Sequence, residues 1–224
     1  MEPVPQAALS AARADSNHFS HHQIRMKFLL AILLALAALP CAAAPLGPDV
    51  AVLEIRFGKE KQLHRVVVGL YDEATPVTVA NLKELIKKKF YNGMRFHRVF
   101  PGSLVQTGDP SSRHGQAERT GTGGPGYTLP AEIKLRHEKA SVAMSRLSDD
   151  VNPAKNSNGS QFFICLSPLP KLDGKYTVFG LILEGLDVLE NISNLPTNSN
   201  DFPLQKVVIK SITIGPRVAL PASH

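Results

Sequence analysis

Alternating apolar positions from Val50 to Phe57, a Gly58-Lys59-Glu60-Lys61 turn and an apolar return from Leu63 to Leu70 predict a β-hairpin. The period then lengthens. Val79, Leu82, Leu85 and Ile86 recur at helical spacing behind Thr75-Pro76, which reads as an N-cap and a first-turn proline. A helix with one buried face should therefore run to about Lys89. Asn92-Gly93 ends that connection and launches a strand, a Pro101-Gly102 turn and a second strand. Further strands are predicted over 141–145, 161–166, 177–183 and 207–214, with a second short helix over 186–192. The intervening stretches 110–130 and 147–158 read as loops, the first rich in Gly, Ser, Thr and Pro. Roughly eight strands and two helices predict a mainly β fold, a closed eight-stranded antiparallel barrel capped by two helices. One domain, 50–215, holds all of it, and 216–224 is expected to be a disordered tail.

The period of two also aligns polar groups. Phe96 and Arg98 would share one strand face, as would Leu104 and Gln106 after the turn, and Gln161 and Phe163 much later. If the fold joins these stretches, they form an apolar wall carrying one guanidinium and two amides. His97 and Phe162 point the other way and are expected in the core.

The N-terminus adds an address. Lys27 precedes an unbroken apolar run from Phe28 to Leu39, followed by Pro40 and the small residues Cys41-Ala42-Ala43-Ala44. The run is short for a bilayer span and has the length of a signal-peptide core. Residues 26–43 are read as a cleavable signal peptide with Met26 as the true start, and 1–25 as a spurious extension. Lipid attachment at Cys41 is the rival reading, disfavoured by Pro40. Export and, after removal of the leader, no stable membrane insertion follow, with a periplasm as the expected compartment.

Charge and cysteines narrow the function classes. The net charge of +6 is spread along 224 residues, and its one basic run, Lys87-Lys88-Lys89, falls at a predicted helix end where cations suit the dipole. Without a basic stripe interleaved with aromatics, nucleic acid is not an expected partner. Once the leader is gone, Cys165 is alone in an apolar strand, a small hydrophobe with no disulfide partner. His18, His21 and His22 lie in the discarded leader and the other histidines lack metal-ligand spacing, so neither metal nor cofactor is expected. The glycines of Thr120 to Gly126 lack a Gly-Lys-Ser/Thr ending and a following helix. They read as a surface loop in which positions such as Gly121 let backbone lie close to a bound chain. Asp149-Asp150 sits in a solvated loop without a catalytic partner.

Five stretches, in order, resemble the cyclophilin family of peptidyl-prolyl cis-trans isomerases. They are Phe96 to Gly102, Gln106 to Asp109, Gly121 to Gly124, Asn158 to Ile164 and Leu172 to Gly180. The resemblance implies a barrel with a helix closing each end and a peptide groove on its outer surface. It implies Arg98 as the catalytic residue, Gln106 and Gln161 as a polar clamp, and Leu104, Phe163 and Leu172 as a proline pocket. Proline-containing polypeptides would be the partners, and a monomer the working form. The chemistry suits these residue types. Rotation about an X–Pro bond meets a barrier of roughly 18–20 kcal/mol and breaks no bond. As resonance is lost the proline nitrogen regains its lone pair, and a guanidinium can donate to it more strongly than in the planar ground state.

The chain departs from its apparent relatives at four places. Ser103 stands where many carry an aromatic residue, Lys171 where the best-known eukaryotic members have tryptophan, and Tyr176 where those have histidine. Ser145-Arg146 replaces the usual Ala-Asn. Ser103 is expected to open the rim of the pocket, while Tyr176 refills space. A second reading is therefore a catalytically weak peptide-binding or chaperone module using the same groove.

Overall fold

A computed structural model describes residues 44–114 and 120–217. Eight strands and two α-helices form one unit from Ala44 onward. The proposed extension 1–25 and signal peptide 26–43 lie outside the described residues. Strands β1 (Asp49–Phe57), β2 (His64–Leu70), β3 (Arg98–Phe100), β4 (Leu104–Thr107), β5 (Ser141–Met144), β6 (Phe162–Cys165), β7 (Val178–Glu184) and β8 (Val207–Pro216) make one sheet. Its order is β3-β4-β6-β5-β7-β2-β1-β8, with every described pairing antiparallel.

The sheet curls without closing. Its edge strands β3 and β8 share no ladder among the described residues. Instead, the chain just ahead of β3 crosses the gap: the N–H groups of Gly93 and Phe96 donate to Ile209 and Val207, and Ile209 donates to Met94. The expectation of a closed barrel is corrected to a curled half-barrel with this short seam. The seam also explains a second correction. Phe96 is buried in the interior rather than sharing the face of Arg98, because regular β3 geometry begins only at Arg98. His97 is buried too, so the two-residue alternation breaks between 96 and 98.

Helices α1 (Pro76–Lys87) and α2 (Leu186–Ser193) bury Val79, Leu82, Leu85, Ile86 and Val188, Leu189, Ile192 into the core inside the sheet. Thr75 occupies the N-cap position of α1, but its hydroxyl donates back to the Tyr71 carbonyl. The capping acceptor comes from elsewhere: the Glu132 carboxylate takes the Val77 and Thr78 N–H groups at 3.1 and 2.9 Å. An anion there also suits the positive end of the helix. At the other end of the domain β8 continues through Pro216, and Arg217 donates to Pro48 and Gly47. Strand β8 thus reaches past the expected limit at 215, and 218–224 lie outside the described residues.

Strands β4, β5 and β6 are buried on both faces. Val105, Val142 and Ile164 enter the main core, whereas Ala143, Phe163, Cys165 and Val178 form a second apolar cluster. This two-sided burial positions the site described next.

Candidate active site

One row of residues runs straight across five strands on the outer face. Arg98 pairs with Gln106, Gln106 with Phe163, Phe163 with Ala143, and Ala143 with Val178. The neighbouring row carries Phe100, Leu104 and Cys165. Sequence alternation places each of these side chains outward, because the intervening Val99, Val105 and Ile164 fill the core. The turn joining β3 to β4 fixes the alignment. Pro101 precedes Gly102 at φ +64°, and Ser103 N–H donates to Phe100 O at 3.0 Å. That positive φ suits glycine.

The polar half of the row is a relay. Gln106 Nε2 donates to Gln161 Oε1 at 2.9 Å and to Ser145 Oγ at 3.3 Å. Gln161 Nε2 in turn donates to Gly123 O at 2.8 Å and lies 3.4 Å from Asp109 Oδ2. Gln161 is 1% exposed and Gln106 9%, so Gln106 is the more accessible of the two amides and Gln161 supports it from behind. The glycine loop does cradle an anion, and the anion is the chain's own. The buried Asp109 carboxylate accepts the N–H groups of Gly121 (2.5 Å), Gly123 (3.1 Å) and Ser111 (2.7 Å), and the Ser111 hydroxyl. Burial alone would raise the pKa of Asp109, but these donors outweigh it and hold the carboxyl below its ordinary value. A Cβ at residue 123 would sit 2.3 Å from Asp109 Oδ1, which is why glycine is required there.

The apolar half is a stack of rings. His137 lies parallel to Phe163 with centroids 6.0 Å apart, and Tyr176 meets Phe163 edge-on at 5.6 Å. Asp173 pins His137 by accepting its backbone N–H at 2.8 Å and by contacting Nδ1 at 3.0 Å. Burial opposes ionisation of Asp173, but the His137 contacts prevail and hold its carboxyl low. On the far side, the Arg146 guanidinium sits 4.9 Å from the centre of the Tyr176 ring. Its donors bond the Lys175 and Leu147 carbonyls, and Asp149 pairs with it at 2.5 Å. Leu104, Leu172 and Tyr176 pack onto the same cluster.

Arg98 stands on the edge strand with half its side chain exposed. Its guanidinium lies over the Phe100 ring at 4.8 Å, and Nε is 3.7 Å from Asp201. An exposed cation–π contact and an exposed ion pair are each worth about 1 kcal/mol or less, so this side chain is free to turn toward a ligand. His97, beside it in sequence, is buried with no hydrogen bond of normal geometry to either ring nitrogen. Burial pushes its pKa down to about 4, and the ring is neutral at physiological pH. Burial likewise pushes the Cys165 thiol up to about 12. Neither is a candidate acid, base or nucleophile.

The structure therefore gathers Arg98, Gln106, Gln161, Phe163, Leu104, Leu172, Tyr176 and Ser145 on one face. Gly121 is nearby in a cavity of about 400 Å³ that also touches Ser145 and Arg146, although its N–H serves Asp109. Sequence reasoning missed His137 and Asp109 as supports. Only the Gly-rich loop following Asp109 hinted at the second, through its supply of unhindered N–H groups. Among the described residues no cluster of His, Cys, Asp or Glu could hold a metal ion, and no helix is long and apolar enough to cross a membrane.

Residues 53–214 match the family model described as cyclophilin type peptidyl-prolyl cis-trans isomerase/CLD. The chain belongs to the cyclophilin family. Peptidyl-prolyl cis-trans isomerase B of Bacillus subtilis is 42% identical over 134 residues, covering 58% of this chain and 85% of that protein. Peptidyl-prolyl cis-trans isomerase D of Saccharomyces cerevisiae is 41% identical over 158 residues, covering 67% of this chain and 65% of that one. Among solved structures, a Cryptosporidium parvum cyclophilin type isomerase superposes with a TM-score of 0.65 at 27% identity, covering 75% of this chain and 98% of that one. A crystal structure of the same protein in the presence of the dipeptide Ala-Pro gives 0.63 at 28% identity, covering 74% and 98%. The chain is thus a cyclophilin-type peptidyl-prolyl cis-trans isomerase.

Proposed function

We propose that this cyclophilin accelerates X–Pro rotation in exported polypeptides, acting as a monomer on the outer face of the sheet. The row Arg98–Gln106–Phe163–Ala143 carries the proposal, because it sets a half-exposed guanidinium and an amide beside an apolar cluster that fits a proline ring. Phe163, Leu104 and Leu172 hold the ring, with Tyr176 as a wall braced by Arg146. Gln106, whose Nε2 is already bonded to Gln161 and Ser145, offers its carbonyl oxygen to a substrate N–H. Arg98 donates to the proline nitrogen as the amide twists. A thousandfold acceleration asks only about 4 kcal/mol of these groups. Titration with an Ala-Pro peptide should shift the amide signals of Gln106, Phe163 and Ala143 and leave those of the seam residues 207–209 unmoved. Shifts confined to other surfaces would contradict the placement of the groove.

Export rests on the 26–43 leader pattern. N-terminal sequencing of the protein recovered from its cellular compartment should begin at Ala44, after the Cys41-Ala42-Ala43 site. An intact Met1 or Met26 terminus would contradict export by this signal.

A further inference from the structure

Arg98 is carried by the short edge strand β3, and a loop over 196–204 is tied to that strand where the Val99 N–H donates to Asp201 O at 3.0 Å. The loop holds its own shape. Leu204 N–H donates to Pro196 O at 2.8 Å and Asn198 N–H to Phe202 O at 3.0 Å. The Asn198 carboxamide oxygen accepts the N–H groups of Asn200 and Phe202 at 2.9 and 3.1 Å. Phe202, buried, anchors the loop to the domain. Asp201 takes φ +58° within it, a left-handed conformation that residues other than Gly, Asn and Asp seldom adopt. Its carboxylate lies 3.7 Å from Arg98 Nε, an ion pair longer than a hydrogen bond.

We propose that Asp201 is a positioning residue, which holds the Nε edge of the Arg98 guanidinium so that the Nη donors point at the twisting X–Pro amide. The inference rests on the role given to Arg98 above. Three observations carry it. First, the guanidinium is restrained in two different ways: the Phe100 ring takes its face at 4.8 Å, and Asp201 takes its Nε edge. Those two contacts leave the far end of the planar fork for the peptide. Second, Asp201 is fixed relative to β3, because its own carbonyl is bonded to the residue that follows Arg98 in the chain. Third, glycine would sit at this φ without strain, so the turn itself does not call for a carboxylate.

An ion pair between half-exposed partners is worth little, and that bounds the effect at about three- to fivefold in kcat, through orientation rather than binding. The test uses the full chain, an uncharged blocked X–Pro peptide, and the variants Asp201→Asn and Asp201→Gly, both compatible with the positive φ. In each, kcat should fall about three- to fivefold while KM stays within about twofold of wild type. Raising the ionic strength to about 1 M, where the Debye length is about 3 Å, should lower the wild-type kcat toward that of the variants and leave theirs unmoved. A merely structural role predicts no such salt dependence. If one variant does not fold, the other carries the test, and the salt titration of the wild type needs neither. An unchanged kcat in the folded variants, a loss confined to KM, or an equal loss at low and high salt would overturn the proposal and leave the isomerase reading intact. An Arg98→Ala variant as active as wild type would instead remove the role of Arg98, and this proposal with it. Absence of turnover in the wild type would overturn the isomerase reading and this proposal together.

Discussion

Arg98→Ala is expected to lower kcat/KM for proline peptides by about 10²–10³-fold, the usual cost of removing one donor aimed at developing charge. Peptide affinity should change by no more than a few-fold, because in the proposed mode of binding the ring stack and Gln106 do the holding. Stability should scarcely move. The side chain is half exposed, and its contacts with Phe100 and Asp201 are worth about 1 kcal/mol or less each. Arg98→Lys should fall between wild type and Ala. A lysine keeps the charge but loses the planar fork that lets one donor stay on the peptide while another tracks the nitrogen. Isomerisation kinetics set beside peptide titration separate these effects. A variant within threefold of wild type would remove Arg98 from the mechanism.

The second large effect lies out of reach of any substrate. Asp109→Asn should lower stability by about 3 kcal/mol, since an amide group would face the N–H groups of Gly121 and Gly123 and leave at least one part-buried donor unpaired. For a domain of this size that is a fall in Tm of about 6–12 °C. Activity should fall with it, because Gln161 is positioned through Gly123 and Asp109, and Gln106 through Gln161. The same carboxylate makes the fold acid-sensitive. Its folded-state pKa lies below the ordinary value of 3.8, so its contribution is complete above that value and fades as pH falls below it. His97 acts in the same direction at higher pH. It is held neutral down to about 4 in the fold but takes a proton near 6.5 when unfolded, so stability declines as pH drops from 6.5 toward 4. Thermal unfolding from pH 7 to pH 3 should show both phases, with Asp109→Asn losing only the lower one. An unchanged Tm in the variant would contradict the cradle.

Much of this arrangement was legible in the chain because strand period is a strong constraint. Leu104 with Gln106, and Gln161 with Phe163, come out on one face from spacing alone, and the structure adds that β4 and β6 are adjacent. Phe96 was misplaced by the same rule, since the rule assumes a regular strand and β3 starts only at Arg98. Supports were harder to see. His137 is 26 positions from Phe163 and Glu132 is 54 from Thr78, and nothing in local pattern announces a contact made across that much chain. Arg146 could be flagged as a departure from relatives, but its place against Tyr176 depends on loop carbonyls that only the fold supplies. Incomplete closure was equally hidden, because a short seam such as that joining Gly93 and Phe96 to β8 leaves no periodic trace.

Catalysis, as opposed to binding alone, is the central claim, and exchange spectroscopy on an X–Pro peptide tests it most directly. The uncatalysed bond exchanges over tens to hundreds of seconds. With a few mole per cent of the protein, cis–trans exchange should become at least a hundredfold faster and scale linearly with protein concentration. Peptide signals that shift on binding while the exchange rate stays at its uncatalysed value would contradict the claim and leave a groove that only holds its client.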